Sequence, residues 1–251
     1  MGADQLTALW IYTPSEFLVA IVIALLGGFV RGLTGFGGGL VMVPLFSMLW
    51  GPVEAIGAMV GLGFLTLFQV LFPALRVAKL RDAAPLLLGS ALLTPLGVAL
   101  LVSLDPGVVK KIIAAVILTL TLVMLAGWVY RGKRGPAQGF IVGGLTGFIN
   151  GVAGAGGPIT VVYVMAEKTR AEFQRANIIL AMGLSSVMTI FALVMADAIG
   201  KRTLVHVAAF ILPTVMGTWL GAQLFARLPS GLYRPIVLWF LVAISVGLLV
   251  K

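Results

Sequence analysis

Residues 28–39 read GFVRGLTGFGGG, and they interrupt a run of apolar residues that extends from 17 to 49. Six of these twelve residues are glycine. Because each glycine costs up to about 1 kcal/mol relative to alanine inside a helix, a continuous helix is not expected through this segment. The sequence therefore predicts an apolar helix that breaks at 35–39.

A second glycine-rich segment repeats the first at a constant distance along the chain. Residues 147–158 read GFINGVAGAGGP, and six of the twelve positions are identical to 28–39 at an offset of 119. A further stretch repeats at an offset of 124, since TPLG at 94–97 corresponds to TWLG at 218–221. The repetition predicts that the chain consists of two homologous halves.

The composition indicates a membrane protein. Of the 251 residues, 61% are hydrophobic and 10% are charged, whereas a soluble domain has about 45–50% apolar and about 25% charged residues. The net charge is +9, but the basic residues separate long uncharged runs and do not form a nucleic-acid-binding patch. An ordinary soluble enzyme is excluded, and no nucleic-acid partner is expected.

The uncharged runs predict the number of membrane spans. A helix that crosses a bilayer needs about 20 predominantly apolar residues, and the chain offers eight such segments. We therefore predict an all-α polytopic protein with four spans in each half, 1–130 and 138–251, which a basic loop at 131–137 joins. The predicted spans are 17–49, 53–75, 83–104, 108–130, 138–166, 173–197, 203–226 and 232–250, of which the first and fifth carry the glycine breaks.

The topology has two open points. If every segment crosses completely, the two halves are parallel, whereas a re-entrant hairpin at a glycine break would allow inverted halves; we expect eight complete crossings.

Residues 1–17 contain no Lys or Arg, so the basic region of a cleavable signal peptide is missing and the first span is expected to be retained. With a cytoplasmic N-terminus, nine Lys and Arg lie inside and seven outside, a small excess in favour of that orientation.

The helix breaks point to an anion site. Broken helices at equivalent places in two halves are typical of the central site of a transporter, and the N-terminus of a half-helix offers free N–H groups and a positive dipole end. The half-helices that begin near Gly38 and Gly157 would therefore direct donors at one shared site. Close helix packing is the alternative explanation, because glycines recur every four residues from Gly139 to Gly151.

Arg31 is the one basic residue within a broken span. A charge at that depth is costly and indicates a functional site, and a guanidinium suits carboxylate, sulfonate and other oxyanions. Arg31 could instead snorkel to an interface or bind backbone carbonyls. Its counterpart in the second half is the neutral Asn150. Other polar side chains that could line a path, or could instead bond a neighbouring helix, are Thr34, Thr66, Gln69, Asn177, Ser185 and Ser186.

The remaining chemistry is sparse. With no cysteine and one histidine, no catalytic metal, haem or other cofactor of the usual kinds is expected. His206, near the start of the seventh span, is interpreted as a satisfied interfacial side chain rather than a proton relay, and Arg175 as a partner of Glu172 in an interfacial ion pair. No acidic residue lies deep within a span, so a cation channel with acidic rings is disfavoured.

The two glycine-rich motifs, at 28–39 and 150–158, resemble the signatures of the TauE/SafE sulfite exporter family, which is also called the 4-toluene sulfonate uptake permease family. The resemblance covers essentially the whole chain. It implies secondary transport of small sulfur-containing anions, such as sulfite, sulfoacetate or other organosulfonates, by a multi-pass protein of a bacterial cytoplasmic membrane. It also implies that Arg31 and the motif glycines line the substrate path.

We therefore expect a transporter and not an enzyme, with a small anion and the lipid bilayer as partners and a homodimer left open. Export is favoured, because an inside-negative potential assists it by about 2.3 kcal/mol per charge per 100 mV, whereas uptake would need a cation site that the sequence does not reveal. Symport in which the substrate itself carries the proton stays open. An anion channel or facilitator and an intramembrane assembly factor are the alternatives. The residues expected to bind substrate are Arg31, Thr34, Gly35, Gly37, Gly38, Gly39, Gln69, Asn150, Gly154, Gly156, Gly157 and Asn177.

Overall fold

The computed structural model describes residues 12–77, 80–126, 130, 132, 135–164, 166 and 171–227. All regular secondary structure in this part of the chain is α-helical. The predicted eighth span, 232–250, lies outside the described residues. The helices of the described part are α1 (Pro14–Thr34), α2 (Gly38–Trp50), α3 (Pro52–Val77), α4 (Leu80–Ser103), α5 (Pro106–Leu125), α6 (Pro136–Ala153), α7 (Gly157–Val164), α8 (Ala171–Met195) and α9 (Lys201–Arg227).

Local sequence fixes both ends of α1. The Thr13 hydroxyl accepts a hydrogen bond from the Glu16 N–H at 3.2 Å, and the Glu16 carboxylate accepts one from the Thr13 N–H at 2.9 Å. This reciprocal capping satisfies donors that the first helical turn leaves unpaired. At the other end, the N–H of Gly35 bonds the Arg31 carbonyl, and the left-handed φ of 79° at Gly35 stops the helix.

The first glycine-rich segment then turns the chain back on itself. Gly37, with a φ of 83°, is the N-cap of α2. Gly27 of α1 lies against the side chain of Met42 of α2, and the rings of Tyr12 and Trp50 are 6.0 Å apart. The C-terminal end of α2 therefore lies beside the start of α1, and the two helices form an antiparallel hairpin.

The second glycine-rich segment makes an equivalent hairpin. Gly154, with a φ of 61°, ends α6 and donates its N–H to the Asn150 carbonyl. The hydroxyls of Thr146 on α6 and Thr160 on α7 are 3.0 Å apart, and the side chain of Tyr163 lies near Gly139. Helix α7 therefore runs back along α6.

These hairpins correct the predicted spans. The segments 17–49 and 138–166 were expected to be single interrupted crossings. Instead, a helix of 21 residues (α1) is followed by one of 13 (α2), and a helix of 18 residues (α6) by one of 8 (α7), each shorter helix running back. The physical reason is the left-handed backbone at the glycines, which reverses the chain where a kink was expected.

Glycines let two pairs of helices approach backbone to backbone. Helix α1 packs against α9, and α6 packs against α4. The contacts of the first pair correspond to those of the second pair at the two repeat offsets. Adding 119 to a residue number on α1 gives its counterpart on α6, and subtracting 124 from a residue number on α9 gives its counterpart on α4. The contacts, each of a glycine with a backbone carbonyl, are Gly28 with Thr214, Gly32 with Thr218 and Gly221 with Phe29, and correspondingly Gly147 with Ser90, Gly151 with Thr94 and Gly97 with Phe148.

Helices α1, α3 and α9 run in the same direction. The ring of Phe17, early in α1, is 5.5 Å from that of Phe210 in α9, whereas Phe29, later in α1, contacts Gly221. Along α3, Gly57 contacts Thr203 and Gly61 contacts Val207. We call the side on which these three helices begin the near face, and the opposite side the far face.

Helices α4, α6 and α8 run in the opposite direction. Leu67 of α3 contacts Gly183 of α8, and further along α3, Ala74 packs with Ala176, which lies earlier in α8. The hydroxyl of Ser185 on α8 bonds that of Ser90 on α4, and one turn later on α8 Thr189 lies 3.5 Å from Asn150 of α6. Because α4 and α6 are parallel in their glycine contacts, all three helices run in one direction. The α1–α2 hairpin therefore starts from the near face and the α6–α7 hairpin from the far face.

The helices suit a membrane. Among the described residues, five helices are long and apolar enough to cross a bilayer: Pro14–Thr34, Ala83–Ser103, Pro106–Val123, Phe173–Met195 and Lys201–Leu224. Gly38–Trp50 and Pro52–Phe68 are shorter apolar helices. Large apolar side chains such as Leu212 and Met195 are about two-thirds exposed, as lipid-facing residues would be. The protein is a polytopic membrane protein.

Candidate functional site

The tips of the two hairpins meet and enclose a pocket. Gly39 of α2 lies directly against the Gly154 carbonyl at the end of α6, and Gly157 of α7 lies against the ring of Phe36. The pocket between them has an empty volume of about 400 Å³, including the space open at its mouth. Its lining residues are Arg31, Gly35, Phe36, Gly37, Gly38, Gly39, Leu40, Met59, Asn150, Gly154, Ala155, Gly157, Pro158, Met182 and Ser186.

Two half-helix N-termini open into this pocket. The first residues of both α2 and α7 belong to the lining, and neither helix has an acidic residue in its first turn. Gly37 is the N-cap of α2 and has no side chain that could accept a hydrogen bond from the first helical N–H groups. Backbone donors at these positions have no intrahelical acceptor, and each N-terminus carries about half a positive charge. Both helix dipoles therefore favour a negative charge in the pocket.

Arg31 supplies the formal charge of the site. Its Nη2 donates to the Gly63 carbonyl of α3 at 2.8 Å, which holds the guanidinium at the pocket wall. No carboxylate is among the lining residues. Asn150, the counterpart of Arg31, lies in the same lining, and its Nδ2 is 3.5 Å from the Thr189 hydroxyl. The pocket is therefore cationic on the side of the first hairpin and neutral on the other.

Eight of the twelve residues predicted to bind substrate line this pocket. Thr34 does not: its hydroxyl donates to the Val30 carbonyl at 2.8 Å and accepts from the Phe36 N–H at 3.0 Å, so it stabilises the turn. Gly156 lies behind the pocket, against the Thr146 carbonyl. The eight that line it are Arg31, Gly35, Gly37, Gly38, Gly39, Asn150, Gly154 and Gly157.

Two other predicted residues lie on helices α3 and α8. Asn177 is not part of the pocket lining, and its Oδ1 is buried without a hydrogen-bond partner among the described residues. The side chain of Gln69 lies outside what the structure describes. Arg175 donates from Nη2 to the Gly32 carbonyl at 3.2 Å and packs against Gly35; the side chain of Glu172, its expected ion-pair partner, lies outside what the structure describes.

Sequence reasoning did not single out several lining residues. Met59 and Met182 close the pocket from α3 and α8, but isolated methionines in apolar spans give no signal of a site. Phe36 and Pro158 lie inside the two motifs, but their side chains are apolar and give no signal of an anion site. Ser186, by contrast, was named among the side chains that could line a path, and it lies in the pocket lining while its hydroxyl donates to the Met182 carbonyl at 2.9 Å.

The chain matches the model of a known protein family. The family model described as Sulfite exporter TauE/SafE matches residues 20–248, nearly the whole chain. No curated protein and no solved structure was found to match.

Proposed function

The chain belongs to the TauE/SafE sulfite exporter family, and we propose that it is a secondary transporter of small sulfur-containing anions, such as sulfite, sulfoacetate or another organosulfonate. The proposed location is the bacterial cytoplasmic membrane, and the expected direction is export. The observation that carries the proposal is the pocket at the hairpin tips. Two half-helix N-termini and Arg31 face it, and no carboxylate lines it. Such a site attracts an oxyanion and repels a cation.

The depth of the pocket supports transport rather than surface binding. Helix α2 has 13 residues, which span about 20 Å at 1.5 Å per residue. The hydrocarbon core of a bilayer is about 30 Å thick. If the C-terminal end of α2 lies at the near face, its N-terminus lies inside the membrane, and an anion bound there is part of the way across.

The recurring glycine contacts support two homologous halves, 1–130 and 138–251, joined by the basic loop 131–137. In the proposed topology each half is a hairpin followed by three crossings, and the last crossing is 232–250. Each half then starts on one face and ends on the other, so the halves are inverted. Inverted halves that meet at a central site are typical of carriers that alternate access by moving one half against the other.

This topology reverses the expected orientation of the N-terminus. In the proposed topology, ten Lys and Arg of the sequence fall in helix ends and connecting segments that are assigned to the far face, and four in those assigned to the near face. The positive-inside rule makes the far face cytoplasmic and the near face, with the N-terminus, external. The ten are Arg76, Lys79, Arg81, Arg131, Lys133, Arg134, Lys168, Arg170, Arg175 and Arg227, and the four are Lys110, Lys111, Lys201 and Arg202.

Counterflow in proteoliposomes tests the function. Vesicles preloaded with unlabelled sulfite, sulfoacetate or methanesulfonate are diluted into the labelled anion, with chloride and acetate as controls. A carrier gives saturable uptake that the internal anion stimulates, whereas a channel or facilitator gives no such stimulation. Absence of flux for every sulfur-containing anion, in vesicles whose protein is folded, would contradict the proposal.

A further inference from the structure

A second cluster of interacting polar groups lies at the near face, away from the anion pocket. Its centre is His206 in the first turns of α9, whose side chain is 1% exposed. The Nδ1 of His206 bonds the Tyr12 hydroxyl, and its Nε2 is 3.2 Å from Oε2 of Glu54 in the first turn of α3. Both ring nitrogens therefore have a partner from a different segment of the chain.

The partners fix the protons on the ring. An ionised carboxylate only accepts hydrogen bonds, so with Glu54 ionised the Nε2 of His206 carries a hydrogen. In the neutral ring Nδ1 is then an acceptor, and the Tyr12 hydroxyl donates to it. Burial, followed by the charge of Glu54, raises the pKa of Tyr12, so the phenol keeps its proton. In this state the cluster has a charge of −1.

The cluster can take up one proton without losing a contact. A proton added at Nδ1 makes the ring an imidazolium, the new N–H donates to the Tyr12 oxygen, and the Tyr12 hydroxyl hydrogen rotates away. Nε2–H continues to donate to Glu54, and the cluster becomes neutral. Glu54 is 29% exposed, so water can reach the cluster from the near face. The other charged group that faces the ring among the described residues is Arg202, one turn earlier on α9.

The cluster also holds the end of the half-helix that leads to the anion pocket. The indole ring of Trp50, the last residue of α2, stacks on the His206 ring with centroids 3.8 Å apart and an angle of 11°. Trp50 also stacks on Phe46 and lies 6.0 Å from Tyr12. Helix α2 therefore has His206 at its C-terminal end and the anion pocket at its N-terminal end.

We propose that Tyr12, His206 and Glu54 form a proton-binding site, separate from the anion pocket, in which His206 takes up one proton from the near face and is linked through α2 to anion binding. This proposal rests on the proposed function. A cation at the C-terminus and an anion at the N-terminus of one helix are both favourable, so protonated His206 and the bound anion each stabilise α2 in the position that joins the two sites. Because both shift α2 toward this same position, proton and anion bind cooperatively, and anion flux responds to a pH gradient.

The single histidine of the chain makes a direct measurement feasible. We would label histidine with ¹⁵N, reconstitute the full chain in nanodiscs and follow the two ring-nitrogen signals across about pH 3–9, a range that includes the ordinary histidine value near 6.5 and extends well below it. We expect one reversible titration of His206. A ring that keeps one protonation state throughout would overturn the proposal.

Two carboxylate variants separate a proton site from a structural contact. In Glu54→Gln the amide keeps a partner for Nε2 but loses the charge, and we expect the titration midpoint to fall by about 1–3 pH units, as for loss of an opposite charge at this range. Glu16→Gln is the matched control, because Glu16 is an acidic residue of the same face that bonds Thr13; its midpoint should stay at the wild-type value. Equal midpoints in Glu54→Gln and wild type would contradict the assignment.

The link to anion binding has its own readout. We expect sulfite or methanesulfonate, whichever shows counterflow, to raise the His206 midpoint in the wild type and not in Arg31→Gln. An unchanged midpoint with a transported anion would overturn the link while the proposed function stands. A Glu54-dependent titration in a protein that moves no sulfur-containing anion would instead sink the proposed function and leave the proton site in place.

Discussion

Substitution of Gly39 by alanine tests whether the contact of the hairpin tips builds the anion site. The added Cβ would lie well inside van der Waals distance of the Gly154 carbonyl oxygen and 3.3 Å from Cε of Met59. The carbonyl is backbone, so the tips have to separate. Overpacking of this kind costs about 1–3 kcal/mol, and the better helix propensity of alanine offsets about 1 kcal/mol. The net loss of folding free energy is therefore small, about 0–2 kcal/mol.

The effect on anion binding should be larger than the effect on stability. If separation of the tips removes one charge-assisted hydrogen bond, worth about 1.5–3 kcal/mol, the half-saturation concentration in counterflow rises roughly 10- to 150-fold. Gly200→Ala is the matched control, because nothing lies within 4 Å of the added Cβ there, and both variants are compared by thermal unfolding in detergent. Wild-type affinity of a folded Gly39→Ala protein would refute the role of the tips.

Three further predictions concern the charge, the repeat and the topology. Arg31→Gln should weaken anion binding at least tenfold in counterflow, since it removes the one formal charge of the pocket, while Arg31→Lys keeps the charge and should lose less; equal affinities of all three proteins would contradict this. Gly32→Ala and Gly151→Ala should lower the unfolding temperature to a similar extent, because each Cβ would meet a carbonyl of the packed partner helix; a large loss in only one of them would argue against equivalent packing. In the proposed topology Gly200 lies at the external near face and Gly132 at the cytoplasmic far face. In this cysteine-free chain, Gly200→Cys in whole cells should therefore react with an impermeant maleimide and Gly132→Cys should not; the reverse pattern would place the N-terminus in the cytoplasm.

The sequence predicts helical class, the two breaks and most of the pocket lining, because glycine has a strong and local effect on helices. It does not predict the reversal of the chain at Gly35 and Gly37. A break in an apolar segment is compatible with a kink or a hairpin, and the difference lies in backbone dihedral angles that sequence spacing does not specify. Asn177 shows a second limit, since a polar residue within a span can face a neighbouring helix as readily as a pocket.

The two explanations of the glycines apply to different residues of the same motifs. Gly28 and Gly147 are inside helices, lie against carbonyls of a neighbouring helix, and serve close packing. Gly35 and Gly154 have positive φ angles, where a side chain would be strained, and serve chain reversal. Glycine satisfies both demands because both exclude a Cβ atom. A residue count cannot separate them, and a substitution series can: at packing positions alanine strains a helix pair, whereas at reversal positions it also opposes the turn that brings the two N-termini to one anion.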